Sequence, residues 1–272
     1  MLLITGGNGQ LGTELRLLLP EALNVDVADL DITNAAAVQA FIKENSVDVI
    51  INCAAYTAVD KAEDEPEKCR LINVDGVRNL SLTGAKIIHI STDYVFDGRG
   101  CRPYVETDTP NPISIYGQTK LDGEKALLET AGTCAIVRTA WLYSPYGGNF
   151  VKTMRWLGAE REKLSVVFDQ IGTPTYAADL AGAIVALLPQ IKDGTKEIYH
   201  YSNEGVCSWY DFAREVMNLS GLKCRVDPIE TAQYPTKAKR PFYSVLNKSK
   251  IKSLGIKAPH WQESLEKCLK KF

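Results

Sequence analysis

A glycine-rich turn near the amino terminus constrains the fold of this chain most strongly. Leu2–Thr5 reads as a short buried strand, and residues 11–19 place leucines at helical spacing until Pro20 ends the pattern. The two are joined by the turn Thr5-Gly6-Gly7-Asn8-Gly9-Gln10-Leu11-Gly12. Glycines spaced in this way permit a tight turn, a close backbone approach to a pyrophosphate, and close packing of helix on strand. The turn therefore predicts a dinucleotide site in which free N–H groups of the helix face the phosphates.

Strands and helices continue to alternate through the first half of the chain. Further strands are predicted at residues 25–27, 47–52, 86–90 and 135–139. Helices are predicted from a cap at Thr33 or Asn34 to about residue 44, and over residues 67–82 and 114–129. Strands that alternate with helices form right-handed units with a parallel sheet. We therefore predict an α/β fold, a Rossmann-type doubly wound parallel sheet.

The alternation becomes less regular after about residue 145. Helices are predicted at residues 150–157, 178–188, 208–216, 247–254 and 261–269, and residues 226–241 read as a proline-broken loop. Ser208 and Asp211 have the spacing of a capping box. We predict a nucleotide-binding Rossmann domain over 1–145 and a smaller mixed substrate-binding lobe over 146–272, with a boundary that lets segments of both halves interleave.

Composition excludes several classes of function. The formal net charge is -2, which argues against a nucleic-acid-binding surface. No apolar run approaches the ~20 residues that a membrane span needs, and no basic leader precedes the first strand. The seven cysteines form no C-x-x-C pair, and the three histidines have no ligand spacing. We expect a cytoplasmic protein with reduced thiols and without a metal, a nucleic-acid partner or a membrane partner.

An acidic residue about 20 positions after the glycine turn completes a dinucleotide fingerprint, because it binds the ribose hydroxyls. Asp26 holds this position at the end of the second predicted strand, and Asp29 is a nearby competitor. Asp31 follows at a distance that suits the adenine amine, and Ile32 can cover the adenine face. These three residues extend the predicted coenzyme site.

Tyr116 and Lys120 form a Y-x-x-x-K pair on a predicted helix. Residues four apart lie on one helical face, so the ammonium can favour the phenolate of a tyrosine that otherwise titrates near ~10. Ser91-Thr92-Asp93 ends the preceding strand. Open α/β sheets bind ligands at the carboxyl ends of their strands. A hydroxyl there can hold a substrate carbonyl while the tyrosine donates a proton.

Together these residues resemble the extended short-chain dehydrogenase/reductases. Longer strings resemble, within that superfamily, the dTDP-4-dehydrorhamnose reductases. The strings are residues 52–63 (NCAAYTAVDKAE), 91–96 (STDYVF), 138–143 (RTAWLY), 149–154 (NFVKTM), 172–175 (GTPT) and 239–241 (KRP). The likeness covers nearly the whole chain.

The resemblance implies reduction of the C4 keto group of dTDP-4-dehydro-L-rhamnose by NADPH or NADH, giving dTDP-L-rhamnose. It assigns catalysis to Thr92, Tyr116 and Lys120. The implied coenzyme-binding residues are Gly6, Gly9, Gln10, Leu11, Gly12, Asp26, Asp31, Ile32, Asn52, Ala54, Ala55, Tyr116 and Lys120. The implied substrate-binding residues are Thr57, Val59, Thr92, Asp93, Trp141, Asn149 and Arg240.

Alternatives stay open at several of these points. Trp141 can instead be a core aromatic, and Arg240 a solvated loop charge. Some family members bind a metal between subunits through glutamates. Glu14 matches one such position, but Ala178 and Lys271 occupy the other two, so we predict no metal.

The chain is expected to be a monomer or a homodimer. Competing functions are a sugar-nucleotide epimerase or dehydratase and a non-catalytic NADP-binding regulatory subunit.

Coenzyme choice is the first testable prediction. Asp26 is followed by Val27, and the glycine turn contains no arginine, so a 2′-phosphate would face a carboxylate without a cation. We therefore expect NADH to be at least tolerated, while NADPH remains possible if the loop turns Asp26 away. Comparing kcat/KM for the two coenzymes checks this. A large preference for NADPH would show that Asp26 does not bind the ribose.

Overall fold

The computed structural model describes all 272 residues, and its first half alternates strands with helices as predicted. The strands are β1 (Leu2–Thr5), β2 (Leu23–Val25), β3 (Val49–Asn52), β4 (Lys86–Thr92), β5 (Cys134–Thr139) and β6 (Leu142–Tyr143). The helices are α1 (Gln10–Leu18), α2 (Ala35–Glu44), α3 (Val59–Ala62), α4 (Pro66–Arg70), α5 (Gly76–Ser81) and α6 (Ile115–Thr130). A π-helical turn, Leu71–Asp75, joins α4 to α5, and a 3-10 turn, Asp93–Val95, follows β4.

The second half mixes short strands with helices. Its strands are β7 (Lys163–Val167), β8 (Ile171–Gly172), β9 (Thr175–Tyr176), β10 (Lys196–His200), β11 (Cys207–Ser208) and β12 (Arg225–Ile229). Its helices are α7 (Phe150–Glu160), α8 (Ala177–Leu187), α9 (Trp209–Leu219), α10 (Ser249–Lys252) and α11 (Trp261–Leu269). Further 3-10 turns span Leu188–Gln190 and Thr231–Gln233. The predicted capping box on α9 is present, because Ser208 and Asp211 each accept a hydrogen bond from the other's backbone N–H.

Six parallel strands form the central sheet in the order β10-β5-β4-β3-β1-β2. The chain adds β2 on one side of β1 and β3 on the other, so the winding direction reverses between β1 and β3. Such a reversal opens a crevice at the carboxyl ends of the strands, where doubly wound sheets bind ligands. The predicted α/β doubly wound fold is confirmed.

Strand β10 comes from the second half of the chain and completes the sheet beside β5. Helix α8, also from the second half, packs against α1 on one face of the sheet. Helices α2, α5 and α6 cover the opposite face. The sheet therefore draws elements from both sides of residue 145, and the division into folding units near that residue stays a prediction.

The prediction of a loop over residues 226–241 is wrong at its beginning. Residues Arg225–Ile229 form β12, which pairs in parallel with β7 in a separate two-stranded sheet. Pro228 is tolerated because neither strand has a second neighbour, and proline is confined to such edge positions. The predicted helix over residues 247–254 is also shorter, and only Ser249–Lys252 is helical.

Helix α6 crosses the π-helical turn at unusually close range. A Cβ on Gly123 would collide with the carbonyl oxygen of Asn73, which belongs to that turn. The Asn73 amide in turn donates to the hydroxyl of Thr119, one turn earlier on α6, at 3.2 Å. Gly123 therefore sets how closely the helix that carries Tyr116 and Lys120 approaches the rest of this layer.

We predict that Gly123→Ala destabilises the protein although alanine is the better helix former. The added methyl must push backbone away from backbone, and overpacking of this kind costs about 1–3 kcal/mol. Gly182→Ala on α8 is the matched control, because a Cβ there meets nothing within 4 Å. It should raise the free energy of unfolding by roughly 0.5–1 kcal/mol. Urea denaturation of both variants measures the difference, and equal stabilities would contradict the packing argument.

Candidate active site

A cavity of about 940 Å³ lies along the carboxyl ends of the central strands. It brings together every residue of the predicted site except Asn52 and Arg240. The predicted residues that line it are Gly6, Gly9, Gln10, Leu11, Gly12, Asp26, Asp31, Ile32, Ala54, Ala55, Thr57, Val59, Thr92, Asp93, Tyr116, Lys120, Trp141 and Asn149. The sequence did not point to Cys53, Lys68, Tyr94 or Trp209, which also line it.

The glycine turn has the geometry of a phosphate cradle. Gly6 lies in the left-handed region at φ +66°, and a Cβ there would come within 2.7 Å of the backbone nitrogen of Ala54. A Cβ on Gly12 would come within 2.7 Å of the Cα of Gly7. Gly9 precedes α1 without any side chain that caps the helix, so the first N–H groups of α1 are left to bind an anion. The residues present therefore fit the diphosphate of a dinucleotide.

Asp26 lies directly after β2 and is folded against the glycine turn. Its Oδ2 accepts a hydrogen bond from the Asn8 backbone N–H at 2.9 Å, and its Oδ1 accepts one from Val27 at 2.8 Å. Asp29 instead binds the Asp26 backbone N–H at 2.9 Å and does not line the cavity. Of the two competing carboxylates, the structure therefore brings Asp26 to the cavity.

Asn52 does not line the cavity, in contrast to its predicted role in coenzyme binding. Its Oδ1 accepts hydrogen bonds from the Thr5 hydroxyl at 2.7 Å and from the Ala54 N–H at 3.1 Å, and its Nδ2 lies 3.0 Å from His89 Nδ1. The side chain is 1% exposed. Its amide is committed to these partners beneath the cavity because a buried amide needs hydrogen bonds on both of its polar atoms.

Arg240 also lies outside the cavity. Its guanidinium forms a two-pronged ion pair with Asp60 of α3, with N–O distances of 3.1 and 2.7 Å. The Asp60 carboxylate also accepts a hydrogen bond from the Ala238 N–H at 3.0 Å. The planar fork that suits a diphosphate is thus taken by a carboxylate of the same chain. This contact fastens the 230–241 segment to α3 and argues against direct diphosphate binding by Arg240.

Tyr116 lies in the first turn of α6, next to the end of β4. Ser114 caps the helix by accepting a hydrogen bond from the Gly117 N–H at 3.2 Å. A Cβ on Gly117 would collide with the carbonyl oxygen of Tyr94, so this turn of α6 packs closely against the 3-10 turn after β4. Burial raises the pKa of Tyr116 and outweighs the hydrogen bond with Thr92, which lowers it. The phenol therefore stays protonated at neutral pH.

Lys120 lies one turn further along α6 and is 2% exposed. Its Nζ donates to the backbone carbonyl of Ile90 at 2.6 Å and lies 3.3 Å from His89 Nε2. Burial lowers the pKa of Lys120 to about 8, although the Glu124 carboxylate opposes that shift. Tyr116, Thr92 and Lys120 all line the cavity. The phenol can donate a proton to a carbonyl oxygen, and the other two groups can assist it.

Helix α6 is fixed to the sheet by a buried ion pair. Arg138 of β5 donates from Nε and Nη2 to the two carboxylate oxygens of Glu124, at 2.9 and 2.7 Å. Both side chains are at most 2% exposed. The Ser91 hydroxyl donates to the same carboxylate. The ion pair thus joins α6 to both β4 and β5 at the strand ends that face the cavity.

Trp141 follows β5 in a left-handed backbone conformation, at φ +49°. Its indole stacks on Trp209 with ring centroids 3.6 Å apart and planes 9° from parallel. A Cβ on Gly172 would come within 2.6 Å of the Trp141 ring, so only glycine leaves room for it there. Both indoles line the cavity. Trp209 directly follows the Ser208 cap of α9, and this position alone does not indicate that the residue lines a cavity.

Asn149 links the start of α7 to the start of α1. Its Oδ1 caps α7 by accepting from the Lys152 N–H at 3.1 Å, and its Nδ2 donates to Gln10 Oε1 at 3.0 Å.

Away from the cavity, the Glu14 carboxylate faces the Lys271 ammonium at 3.8 Å. None of the helices combines the length and the apolar character needed to cross a bilayer.

Comparisons with known proteins agree with this geometry. The family model for the RmlD substrate binding domain matches residues 1–272. The chain belongs to the dTDP-4-dehydrorhamnose reductase family. It is 42% identical to the dTDP-4-dehydrorhamnose reductase of Aggregatibacter actinomycetemcomitans, over 97% of each chain. It is also 41% identical to the spore coat polysaccharide biosynthesis protein SpsK of Bacillus subtilis, over 98% of this chain and 96% of SpsK.

A solved relative shares the whole fold. The dTDP-4-dehydrorhamnose reductase of Bacillus anthracis, solved in complex with NADP, is 43% identical to this chain, with a TM-score of 0.95 over 100% of this chain and 99% of the other. The glycine turn and the reversal of the sheet therefore belong to a family in which a nicotinamide coenzyme has been observed. The resemblance inferred from the sequence strings is confirmed.

Asp93 gives a pH-dependent prediction. It is 2% exposed, its Oδ1 accepts from the Thr92 hydroxyl at 3.1 Å, and burial raises its pKa to about 6. An unfolded aspartate titrates near ~3.9, so the folded protein holds a proton that the unfolded chain has lost within this window. The contribution of Asp93 to the free energy of unfolding should therefore fall as the pH rises from about 4 to 6.

Replacing Asp93 isolates this contribution. Asp93→Asn cannot titrate, so its stability relative to the wild type should improve by up to about 3 kcal/mol between pH 4 and pH 7. Urea denaturation of both proteins at the two pH values measures the change, and every other titrating group cancels in the comparison. Stability curves that stay parallel would show that Asp93 titrates in the folded protein as it does in the unfolded chain.

Proposed function

We propose that this protein reduces the C4 keto group of dTDP-4-dehydro-L-rhamnose with NAD(P)H, giving dTDP-L-rhamnose. The observation that carries the proposal is one cavity in which a glycine cradle lies beside Thr92, Tyr116 and Lys120. The match to the reductase family over the full length of the chain supports the choice of substrate. The protein is thus an oxidoreductase of nucleotide-sugar biosynthesis.

The coenzyme site is proposed to run along the glycine turn. The N–H groups at the start of α1 bind the diphosphate, and Asp26 lies where it can accept from ribose hydroxyls. Asp31 and Ile32 line the adenine end, while Ala54 and Ala55 let the coenzyme lie close to the chain after β3. Once bound, the coenzyme supplies the hydride that reduces C4.

The chain supplies the proton and stabilises the charge. Negative charge develops on the C4 oxygen during reduction, and the Thr92 hydroxyl, which donates to Asp93 Oδ1 in this structure, is proposed to turn its proton to that oxygen. The Tyr116 phenol donates its proton to the oxygen. An ammonium at Lys120, one helical turn away, lowers the cost of the phenolate that remains. Each of the three groups thus acts on charge that appears only in the transition state.

The sugar and its nucleotide are proposed to occupy the other end of the cavity. Trp141, braced by Trp209, presents an indole to the apolar face of the sugar. Thr57, Val59 and Asp93 also line the cavity and are proposed to contact the sugar nucleotide. Asn149 remains the proposed contact for the diphosphate arm, whereas the proposed role of Arg240 is indirect, through its ion pair with Asp60. Rigid placement of this kind raises the rate by orienting the reacting carbonyl.

Two other functions predict different outcomes in one assay. An epimerase or dehydratase would not consume NADPH with dTDP-4-dehydrorhamnose, and neither would a regulatory subunit. Purified protein is mixed with both compounds while absorbance of the reduced nicotinamide is followed. Loss of that absorbance supports the reductase.

We further propose a cytoplasmic location and a monomer or homodimer. A net charge of -2 is in keeping with the absence of a nucleic-acid partner.

Substitutions at the three proposed catalytic residues test the mechanism. Tyr116→Phe removes only the hydroxyl, so the rate of reduction should fall by the ~10²–10⁴-fold that general acid catalysis contributes. Lys120→Met should cost as much or more, because it also weakens coenzyme binding. Thr92→Val should cost less, because it removes one hydrogen bond to a charged oxygen, worth ~1.5–3 kcal/mol. Stopped-flow single turnovers at saturating coenzyme measure the chemical step.

Tyr210→Phe is the matched control for these variants. Tyr210 lies on α9 and does not line the cavity, so its hydroxyl should not affect the rate. Coenzyme affinity of Tyr116→Phe should remain close to that of the wild type. Reduction by Tyr116→Phe at a near wild-type rate would rule out the proposed mechanism.

A further inference from the structure

A buried chain of polar contacts runs from the coenzyme cradle to Lys120. The Thr5 hydroxyl donates to Asn52 Oδ1 at 2.7 Å, Asn52 Nδ2 lies 3.0 Å from His89 Nδ1, and His89 Nε2 lies 3.3 Å from Lys120 Nζ. These four side chains are at most 2% exposed. His89 belongs to none of the predicted site residues and does not line the cavity.

The hydrogen bonds of Asn52 determine the tautomer of His89. Asn52 Oδ1 accepts from two donors, the Thr5 hydroxyl and the Ala54 N–H, so the amide nitrogen must face the imidazole. An amide nitrogen only donates, and His89 Nδ1 must therefore be unprotonated. Burial also holds the pKa of His89 well below its usual value. A neutral ring with an unprotonated Nδ1 carries its proton on Nε2.

That proton points at Lys120. An Nε2–H group and an ammonium are both donors, and two donors at 3.3 Å repel each other. The contact becomes a hydrogen bond when Lys120 is a free amine, whose lone pair accepts from His89. A free amine can still donate to the Ile90 carbonyl at 2.6 Å. The geometry around Nζ therefore favours the uncharged form.

The other groups that face Lys120 do not restore the charge. Glu124 on α6 favours the ammonium, but its carboxylate is already paired with Arg138. Cys53, after β3, and Cys69, on α4, also favour it only as thiolates, and burial raises the pKa of both thiols. Burial lowers the pKa of Lys120 to about 8, which agrees with the geometry.

We propose that His89 is a positioning residue that favours the neutral amine of Lys120 in the coenzyme-free protein, so that Lys120 takes up a proton from solvent when the coenzyme binds. The diphosphate of the coenzyme brings negative charge into the cavity and favours the ammonium. The step forms one N–H bond and leaves the buffer one proton poorer. The inference rests on the proposed function only in that the resulting ammonium then acts beside Tyr116.

Proton uptake on coenzyme binding tests the proposal without any sugar. NADPH is titrated into the protein by calorimetry, in buffers of different ionisation enthalpy, between pH 7 and pH 9. The wild type should take up a fraction of a proton that is small at pH 7 and increases through pH 8, where the free lysine titrates, towards pH 9. Lys120→Met, titrated until it is saturated with NADPH, should bind without proton uptake, which assigns the signal to the lysine.

Variants of His89 test its part in holding the amine. His89→Gln can present a carbonyl oxygen to Lys120, which accepts from an ammonium, so proton uptake should be lost while NADPH still binds. The alkaline limb of the pH profile of NADPH binding, where affinity falls as Lys120 loses its proton, should move to higher pH in this variant. His89→Asn replaces the group near Asn52 and serves as the second variant if the glutamine protein does not fold. His260→Gln, at a histidine outside the cavity, should match the wild type.

Two outcomes would overturn the proposal. One is NADPH binding by the wild type without proton exchange at any pH between 7 and 9. The other is wild-type uptake in both folded His89 variants, which would show that His89 does not hold the amine. Failure of the proposed function is distinguishable, because it appears as absent turnover of dTDP-4-dehydrorhamnose by a wild-type protein whose proton uptake is intact.

Discussion

The ion pair between Glu124 and Arg138 is the interaction on which the geometry of the site depends. Glu124 is on the helix that carries Tyr116 and Lys120, and Arg138 is on the strand beside β4. Two N–H···O bonds fix both distance and orientation, because a guanidinium and a carboxylate are both planar. Removing one partner from such a buried pair typically costs about 3–5 kcal/mol, since the other charge is left uncompensated. The pair therefore specifies one position of α6 on the sheet.

Two glycines let the helix take that position. Gly117 allows the first turn of α6 to pack against the carbonyl of Tyr94, and Gly123 allows the next turns to pack against Asn73. Any side chain at either position would lift the helix from its neighbours. Polar anchoring by Glu124 and close backbone contact at the glycines thus bring Tyr116 beside the end of β4. The geometry of the candidate site is thus a consequence of helix packing.

Local patterns in the sequence predicted most of the fold and much of the site. The glycine turn, the capping box at Ser208 and the four-residue spacing of Tyr116 and Lys120 are all set by neighbours in the chain, so sequence alone indicates them. The likeness to a known family added Trp141 and Asn149, both of which line the cavity. Periodicity carries this information because each element has its own repeat.

Contacts between distant residues were not predictable in the same way. Arg240 pairs with Asp60 across 180 positions, and no repeat or spacing indicates that such residues meet. Strand β10 was missed because only its last two residues, Tyr199 and His200, are buried. Asn52 ends a strand whose neighbours face the cavity, but its amide turns inward to His89. The sequence gives the residue types at such places, while tertiary packing decides their partners.

The electrostatics of the coenzyme-free site keep the phenol of Tyr116 protonated. Burial raises the pKa of Tyr116, and the nearby Asp93 carboxylate raises it further, so the phenol retains its proton. The same burial makes the phenolate that follows donation costly, and a cation must form close to it. Lys120 lies on the same helical face, but its amine faces His89 and Ile90 in the absence of coenzyme. Under the proposed mechanism, the phenolate of Tyr116 is stabilised only when Lys120 carries a proton, and proton donation is then coupled to coenzyme binding.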